Sequence, residues 1–205
     1  MAWFNGYEPD QITGLTVADG STADFGYGDL GVASLAFEIG TEFFQDCDYF
    51  ENTLLEINLD ALFYTAKVLR APYVLPAGPE AFDVLAAPGE VAPGTAVTIT
   101  GTVDEDRFNQ TNGTEPTQNI AAAEYYVDTP PWETGAVAFP MAPADGAFDT
   151  KTEEVTASVD TTSLAPGRHI VFVRGQDASG DWGPVGAAFF DVTFIPGTVA
   201  GTLQE

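Results

Sequence analysis

The chain has 205 residues, room for one large domain or two small ones, and carries 6 basic against 31 acidic residues for a net charge of −25. That balance argues against DNA, RNA and anionic membranes as partners, because binding them needs clustered Lys and Arg; the scattered acids read as a solvated, solubilising surface. One cysteine, Cys47, excludes an internal disulfide framework and a cysteine-built zinc site, and one histidine, His169, excludes zinc held through two or three histidines. No run is long enough to span a bilayer, and nothing at the start reads as an export signal.

In chain order, Val32 to Phe37 (VASLAF) is an unbroken apolar run between Gly31 and Gly40. It predicts a strand buried on both faces, though a run this short also fits a buried helix segment. Glu38 stands at its end. A helix is expected over about Leu59 to Arg70, capped by Asn58 with Ile57 stapled to Leu62, and with one apolar face made by Leu55, Leu59, Leu62, Ala66 and Leu69. Asp60 and the Lys67/Arg70 pair suit the helix dipole, and Pro72 ends the helix. One strand and one helix cannot bury a core, so this half reads as incomplete. The segment APYVLPAGPE, with Pro72, Pro76 and Pro79, is the expected interdomain linker.

From about Ala81 the pattern changes to short alternating strands between Gly, Pro, Asp and Ser turns. Strands are expected at Ala81–Ala87, Ala96–Val103, Ile120–Val127, Glu153–Val159, His169–Arg174 and Val185–Phe194, with a hairpin turn at Asp177 to Trp182. Six or seven such strands predict a β-sandwich of immunoglobulin or fibronectin type. The division is 1–78 for the first domain, 79–196 for the sandwich and 197–205 for a loose tail.

Several stretches make the chain similar to a known family. STADFGYGDLGVASLAFEIGTEFFQDCDYFE followed by NLDALFYTAKVLRAPY resembles the C-terminal part of a zinc carboxypeptidase catalytic domain. It carries the D-x-x-Y-G turn (Asp24, Tyr27, Gly28), the F-E-[IL]-G strand end, the FF-x-x-C-x-YFE segment and the closing helix in order. AAAEYYVDTPPW, GRHIVFVRGQD and DWGP resemble the β-sandwich appended to many such bacterial enzymes. The resemblance implies an α/β remnant of the catalytic domain followed by an immunoglobulin- or fibronectin-like sandwich. It implies that Glu38 is the catalytic carboxylate, taking a proton from a zinc-bound water and passing it to the leaving amine. A strand end is a common address for such a group in open α/β sheets, and apolar neighbours tune a carboxylate for base work. Ala23, beside Asp24, falls where the family tunes its side-chain pocket; an alanine there favours an apolar C-terminal residue.

The departures matter as much. The His-x-x-Glu pair, the later zinc histidine and the substrate-binding arginines would all lie upstream, and the family's mobile tyrosine falls on Thr16. Tyr7, in FNGYEPD, is in the wrong context to replace it. His169, in an alternating strand, reads as a surface or edge histidine. The expectation is a fragment of a longer, secreted enzyme that removes C-terminal residues from peptides or proteins. The full-length form would need zinc, and this chain would bind none and be inactive alone. The alternative is a non-catalytic binding module, the sandwich holding a polysaccharide, protein or cell surface. Cys47 is expected to be buried; Asp104, Glu105 and Asp106 with Asn109 could bind calcium but lack the EF-hand spacing and read as a solvated loop; Asn109 and Asn112 match the glycosylation acceptor pattern, and Trp132 and Trp182 are either packing residues or a ligand platform.

Overall fold

Alternation of apolar and polar residues decides the second part of the chain. The computed structural model describes residues 1–10, 20–111 and 113–194, so Thr16, Asn112 and the expected tail lie outside the described residues. Two compact units form. One is Met1–Pro76 with Asp106–Thr117; the other is Ala77–Glu105 with the chain from Gln118 onward.

The second unit is a β-sandwich. Its long strands are β1 (Glu80–Ala87), β3 (Val97–Asp104), β4 (Ile120–Val127), β7 (Thr152–Val159), β8 (Gly167–Asp177) and β9 (Gly186–Val192), all near their expected positions. Three two-residue strands were not foreseen: β2 (Glu90–Val91), β5 (Phe139–Pro140) and β6 (Ala142–Pro143). Two residues leave no periodicity to read, and prolines argue against a strand except at an edge. One sheet has the order β1-β3-β7-β6 and the other β2-β9-β8-β4-β5, so the short strands sit at edges. Neighbours pair antiparallel except β2 with β9.

The core lies between the sheets. Val97, Ile99 and Val103 on β3 and Val155 and Val159 on β7 meet Val171 and Val173 on β8 and Phe190 and Val192 on β9. Full burial of one such side chain contributes about 1.5–3 kcal/mol. Close approach of the two layers needs glycine at Gly175 on β8, where a Cβ would overlap Val103 Cγ1. The hairpin after β8 forms as expected. The buried Asp177 carboxylate accepts from Ser179 N at 2.9 Å and Asp181 N at 2.8 Å, and Gln176 bridges to Trp182.

The first unit is helical among its described residues. It holds α1 (Ala2–Asn5), α2 (Thr22–Asp24, continued by a π turn Phe25–Asp29), α3 (Cys47–Tyr49, continued by a π turn Phe50–Leu54) and α4 (Leu55–Val68). The expected strand at Val32–Phe37 does not form. The run takes no regular secondary structure, and Val32, Leu35 and, just beyond it, Ile39 are about half exposed. A strand buried on both faces needs strands on either side, and none forms among the described residues of this unit. The described residues of this unit thus show the helices and not the strand of the α/β expectation.

The helix also starts earlier than expected. Its helical run begins after Asp46, whose carboxylate caps Tyr49 N at 3.1 Å, so Asn58 is an interior residue and not the cap. Asn58 instead lies on the buried face with Leu54, Ala61 and Val68, while the expected apolar face of Leu55, Leu59, Leu62, Ala66 and Leu69 faces solvent. Two stripes at helical spacing compete, and the neighbouring α1 covers only one. Pro72 lies beyond the helix end, and Pro79, expected in the linker, is buried in the sandwich.

The stretch 106–117 also departs from the expected division, because it belongs with the first unit. There the Arg107 guanidinium lies 4.8 Å above the Phe4 ring, and Asn109 Nδ2 donates to Ala2 O at 3.1 Å. Glu105, expected in a solvated loop, is buried; its backbone N–H donates to Lys151 O, which draws it into the sandwich. Gly175→Val should destabilise the sandwich by about 1–3 kcal/mol through overpacking. Urea unfolding followed by far-ultraviolet circular dichroism measures this, and an unchanged midpoint would contradict the packing described.

Candidate functional site

In the first unit, Glu38 follows the irregular run 32–37 and is exposed. Among the described residues of this unit no sheet forms to give it the apolar enclosure expected of a strand-end base. Asp24 is occupied locally. Its carboxylate accepts from Ser21 N at 3.0 Å while Ser21 Oγ accepts from Asp24 N at 3.0 Å, a capping box that starts α2. Ala23 is half-buried within the same turn. These three residues are not drawn into one cavity by any contact among the described residues.

The polar centre of this unit is one the sequence reading missed. Asn58 Nδ2 donates to Leu54 O at 2.9 Å and to the Tyr7 hydroxyl at 3.0 Å, and Asn5 Nδ2 donates to Asn58 Oδ1 at 3.3 Å. The same Tyr7 hydroxyl accepts from Gly40 N at 3.2 Å. Tyr7 thus ties α4 to the chain two residues beyond Glu38. The signal in the sequence was an asparagine in the interior of an otherwise apolar helix, a type that favours caps and turns unless it has buried partners.

Among the described residues no group of three or more His, Cys, Asp or Glu side chains is gathered. Cys47 is exposed rather than buried, because it opens the first turn of α3 beside the capping Asp46. Both ring nitrogens of His169 are already engaged within the sandwich.

The sandwich offers a better-built site on the side of β4, β8 and β9 turned away from the core. On β8, Phe172 and Arg174 alternate with the buried Val171, Val173 and Gly175. Register places Arg174 opposite Glu124 and Phe172 opposite Tyr126. Arg174 Nε donates to Glu124 Oε1 at 2.7 Å, Arg174 Nη2 donates to the Tyr126 hydroxyl at 2.8 Å, and that hydroxyl donates to Glu124. The guanidinium lies 4.2 Å from the Trp182 ring centre, a cation–π contact. Burial raises the Tyr126 pKa, aided by the carboxylate of Glu124 and opposed by Arg174. Arg174 and Glu124 cancel, leaving a neutral polar centre among aromatic rings. Trp132 packs edge-on against Phe172 with centroids 6.0 Å apart and is still 43% exposed. Phe189 on β9 is exposed on the same side as its cross-strand partner Ile170.

Beside this face, His169 corrects another expectation. It sits on β8, the central strand of its sheet, and is buried. Its alternation with Val171 and Val173 puts it on the inward face. Nδ1 lies 2.7 Å from Asp128 Oδ2 and Nε2 lies 2.8 Å from Ala165 O.

Comparisons with known proteins give no family. No family model and no curated protein matches the chain. Among solved structures, OgpA from Akkermansia muciniphila is 17% identical with a TM-score of 0.36, over 56% of this chain and 28% of that one. The chain thus spans little more than a quarter of that protein's length. A PKD domain of an M14-like peptidase from a Thermoplasmatales archaeon is 17% identical with a TM-score of 0.35, over 57% of this chain and 96% of that one. A Niemann-Pick type C2 protein from the Japanese carpenter ant is 7% identical with a TM-score of 0.37, over 57% and 93%. Similarity at this level assigns no function. No helix among the described residues is long and apolar enough to cross a membrane.

The half-buried Arg174–Glu124 pair gives a direct check. Arg174→Met should destabilise the sandwich by about 2 kcal/mol, since it leaves Glu124 without its cation. Adding Glu124→Gln should recover part of that loss. A double-mutant cycle from urea midpoints reads the coupling, and additive losses would contradict it.

Proposed function

We propose that this chain acts as a non-catalytic binding module, its sandwich holding a neutral polysaccharide outside the cell on the β4–β8–β9 face. The observation that carries the reading is the exposed Trp132 packed on Phe172, next to a charge-neutralised Arg174–Glu124 pair under Trp182, with the buried Tyr126 hydroxyl bonded to both charges and Phe189 exposed farther along the same face. Sugar rings lay their C–H faces on aromatic rings and direct hydroxyls to fixed polar groups, and this face supplies both. The net charge of −25 disfavours anionic polysaccharides and nucleic acids alike. Affinity electrophoresis against soluble neutral glucans, mannans and xylans tests it. At least one should retard the protein, and Trp132→Ala should weaken that binding about tenfold or more. Retardation by none of them, with a folded sandwich, removes the polysaccharide reading.

A second reading concerns Met1–Pro76 and rests on its uncovered apolar surface. Val32, Leu35 and Ile39 in the irregular segment and Leu55, Leu59 and Leu62 on α4, with Leu69 at its end, are all exposed, and Phe43 and Phe44 are almost fully so. Surface of this kind belongs against further layers of structure. That supports the carboxypeptidase resemblance: this unit as part of a larger α/β peptidase domain acting on peptides, with Glu38 as its general base and the zinc ligands elsewhere in that domain. The intact mass and N-terminal sequence of the natural protein decide whether an upstream His-x-x-Glu exists. If it does, Glu38→Gln in the full enzyme should abolish release of C-terminal residues. Undiminished hydrolysis by that variant would remove Glu38 from the role.

A further inference from the structure

The loop after β4 is held at its root by the only histidine in the chain. Asp128 begins the loop in the left-handed region, at φ 60°, a conformation a non-glycine residue adopts only when its surroundings hold it there. Its Oδ1 accepts from Ile170 N at 3.1 Å, and its own N–H donates to Ile170 O at 2.9 Å. Its Oδ2 meets His169 Nδ1. From that root the chain turns through Thr129–Ala136, with Glu133 N donating to Pro130 O, and so sets Trp132 against Phe172.

The two groups facing the imidazole are both acceptors. Ala165 O is a backbone carbonyl and Asp128 Oδ2 a carboxylate oxygen, so both hydrogen bonds form at once only when both ring nitrogens carry protons. The charged groups acting on the ring are Asp128 and, more weakly, Asp191 on β9, which is paired with Arg168 at 3.3 Å. Phe190 stacks on the ring at 5.5 Å.

We propose that His169 is a proton-operated latch for Trp132: the imidazolium spans Ala165 and Asp128 and fixes the 128–136 loop, and loss of its proton gives up one of the two anchors and loosens Trp132 from Phe172. Burial by itself lowers the histidine pKa, but the hydrogen bond to Ala165 and the bond and charge of Asp128 outweigh it, so the net direction is upward. A folded-state value above the unfolded one makes the latch fully formed below the ordinary histidine value, near 6.5, and released as pH rises through the folded value. The consequence for ligand binding rests on the reading of the β4–β8–β9 face as the binding surface. There, affinity for a neutral glycan should fall as pH rises through the His169 midpoint.

The whole chain, labelled with fluorotryptophan, tests the latch without any ligand. Its single histidine gives one ring titration by proton NMR, and Trp132→Phe assigns one of three fluorine resonances. The expected result is a His169 midpoint above 6.5 and a Trp132 resonance that shifts with the same midpoint, while those of Trp3 and Trp182 do not follow it. Asp128→Asn, which keeps the acceptor for Ile170 N but removes the charge, should lower both midpoints together. His169→Gln should abolish the Trp132 transition. A midpoint at or below 6.5, or a Trp132 resonance indifferent to the histidine titration, overturns the latch. If the latch titrates as described but no neutral glycan binds at any pH, the latch stands and the binding reading falls. If a glycan binds with pH-independent affinity, the coupling of latch to ligand is overturned.

Discussion

An apolar face of a strand or helix must be covered by a second layer, and that constraint organises both units of this chain. In the sandwich it is met. The inward rows of β3 and β7 meet those of β8 and β9, and Gly175 lets the layers close where a side chain would collide with Val103. Among the described residues of the helical unit it is met on one stripe of α4, through Leu54, Ala61 and Val68. The second stripe and the irregular run at Val32–Ile39 carry the composition of buried elements, and among the described residues no layer covers them.

Polar groups fix what apolar packing leaves free. Burial is non-directional, but a buried amide, hydroxyl or imidazole must find partners at set positions. Asn58 does this for α1, α4 and the segment beyond Glu38, Asp177 for the β8–β9 turn, and His169 with Asp128 for the Trp132 loop. Asp177 and His169 sit near strand ends and Asn58 inside α4, yet each fixes the position of irregular chain that propensity does not determine.

The same logic distinguishes the two candidate sites. Around Glu38 the carboxylate is exposed, and Asp24 is occupied by its own helix cap. On the sandwich face, Arg174, Glu124 and Tyr126 satisfy one another and leave a neutral polar centre ringed by aromatic surface.

The amino-acid sequence by itself determined the sandwich strands, since a period of two is written directly in residues such as Val97/Ile99 and Ile170/Phe172/Arg174, and it determined the hairpin at Asp177–Trp182 through its turn residues. It also contained the two apolar features of the first unit. What it did not contain is which surface covers them, because burial depends on neighbours far along the chain. Hence VASLAF reads as a buried strand yet lies unpaired, and the stripe from Leu55 to Leu69 reads as the core face yet faces water. The placement of His169 against Asp128, 41 residues away, and of Arg174 against Glu124, 50 residues away, was likewise decided only by the β4–β8 register, which brings these side chains within hydrogen-bonding distance.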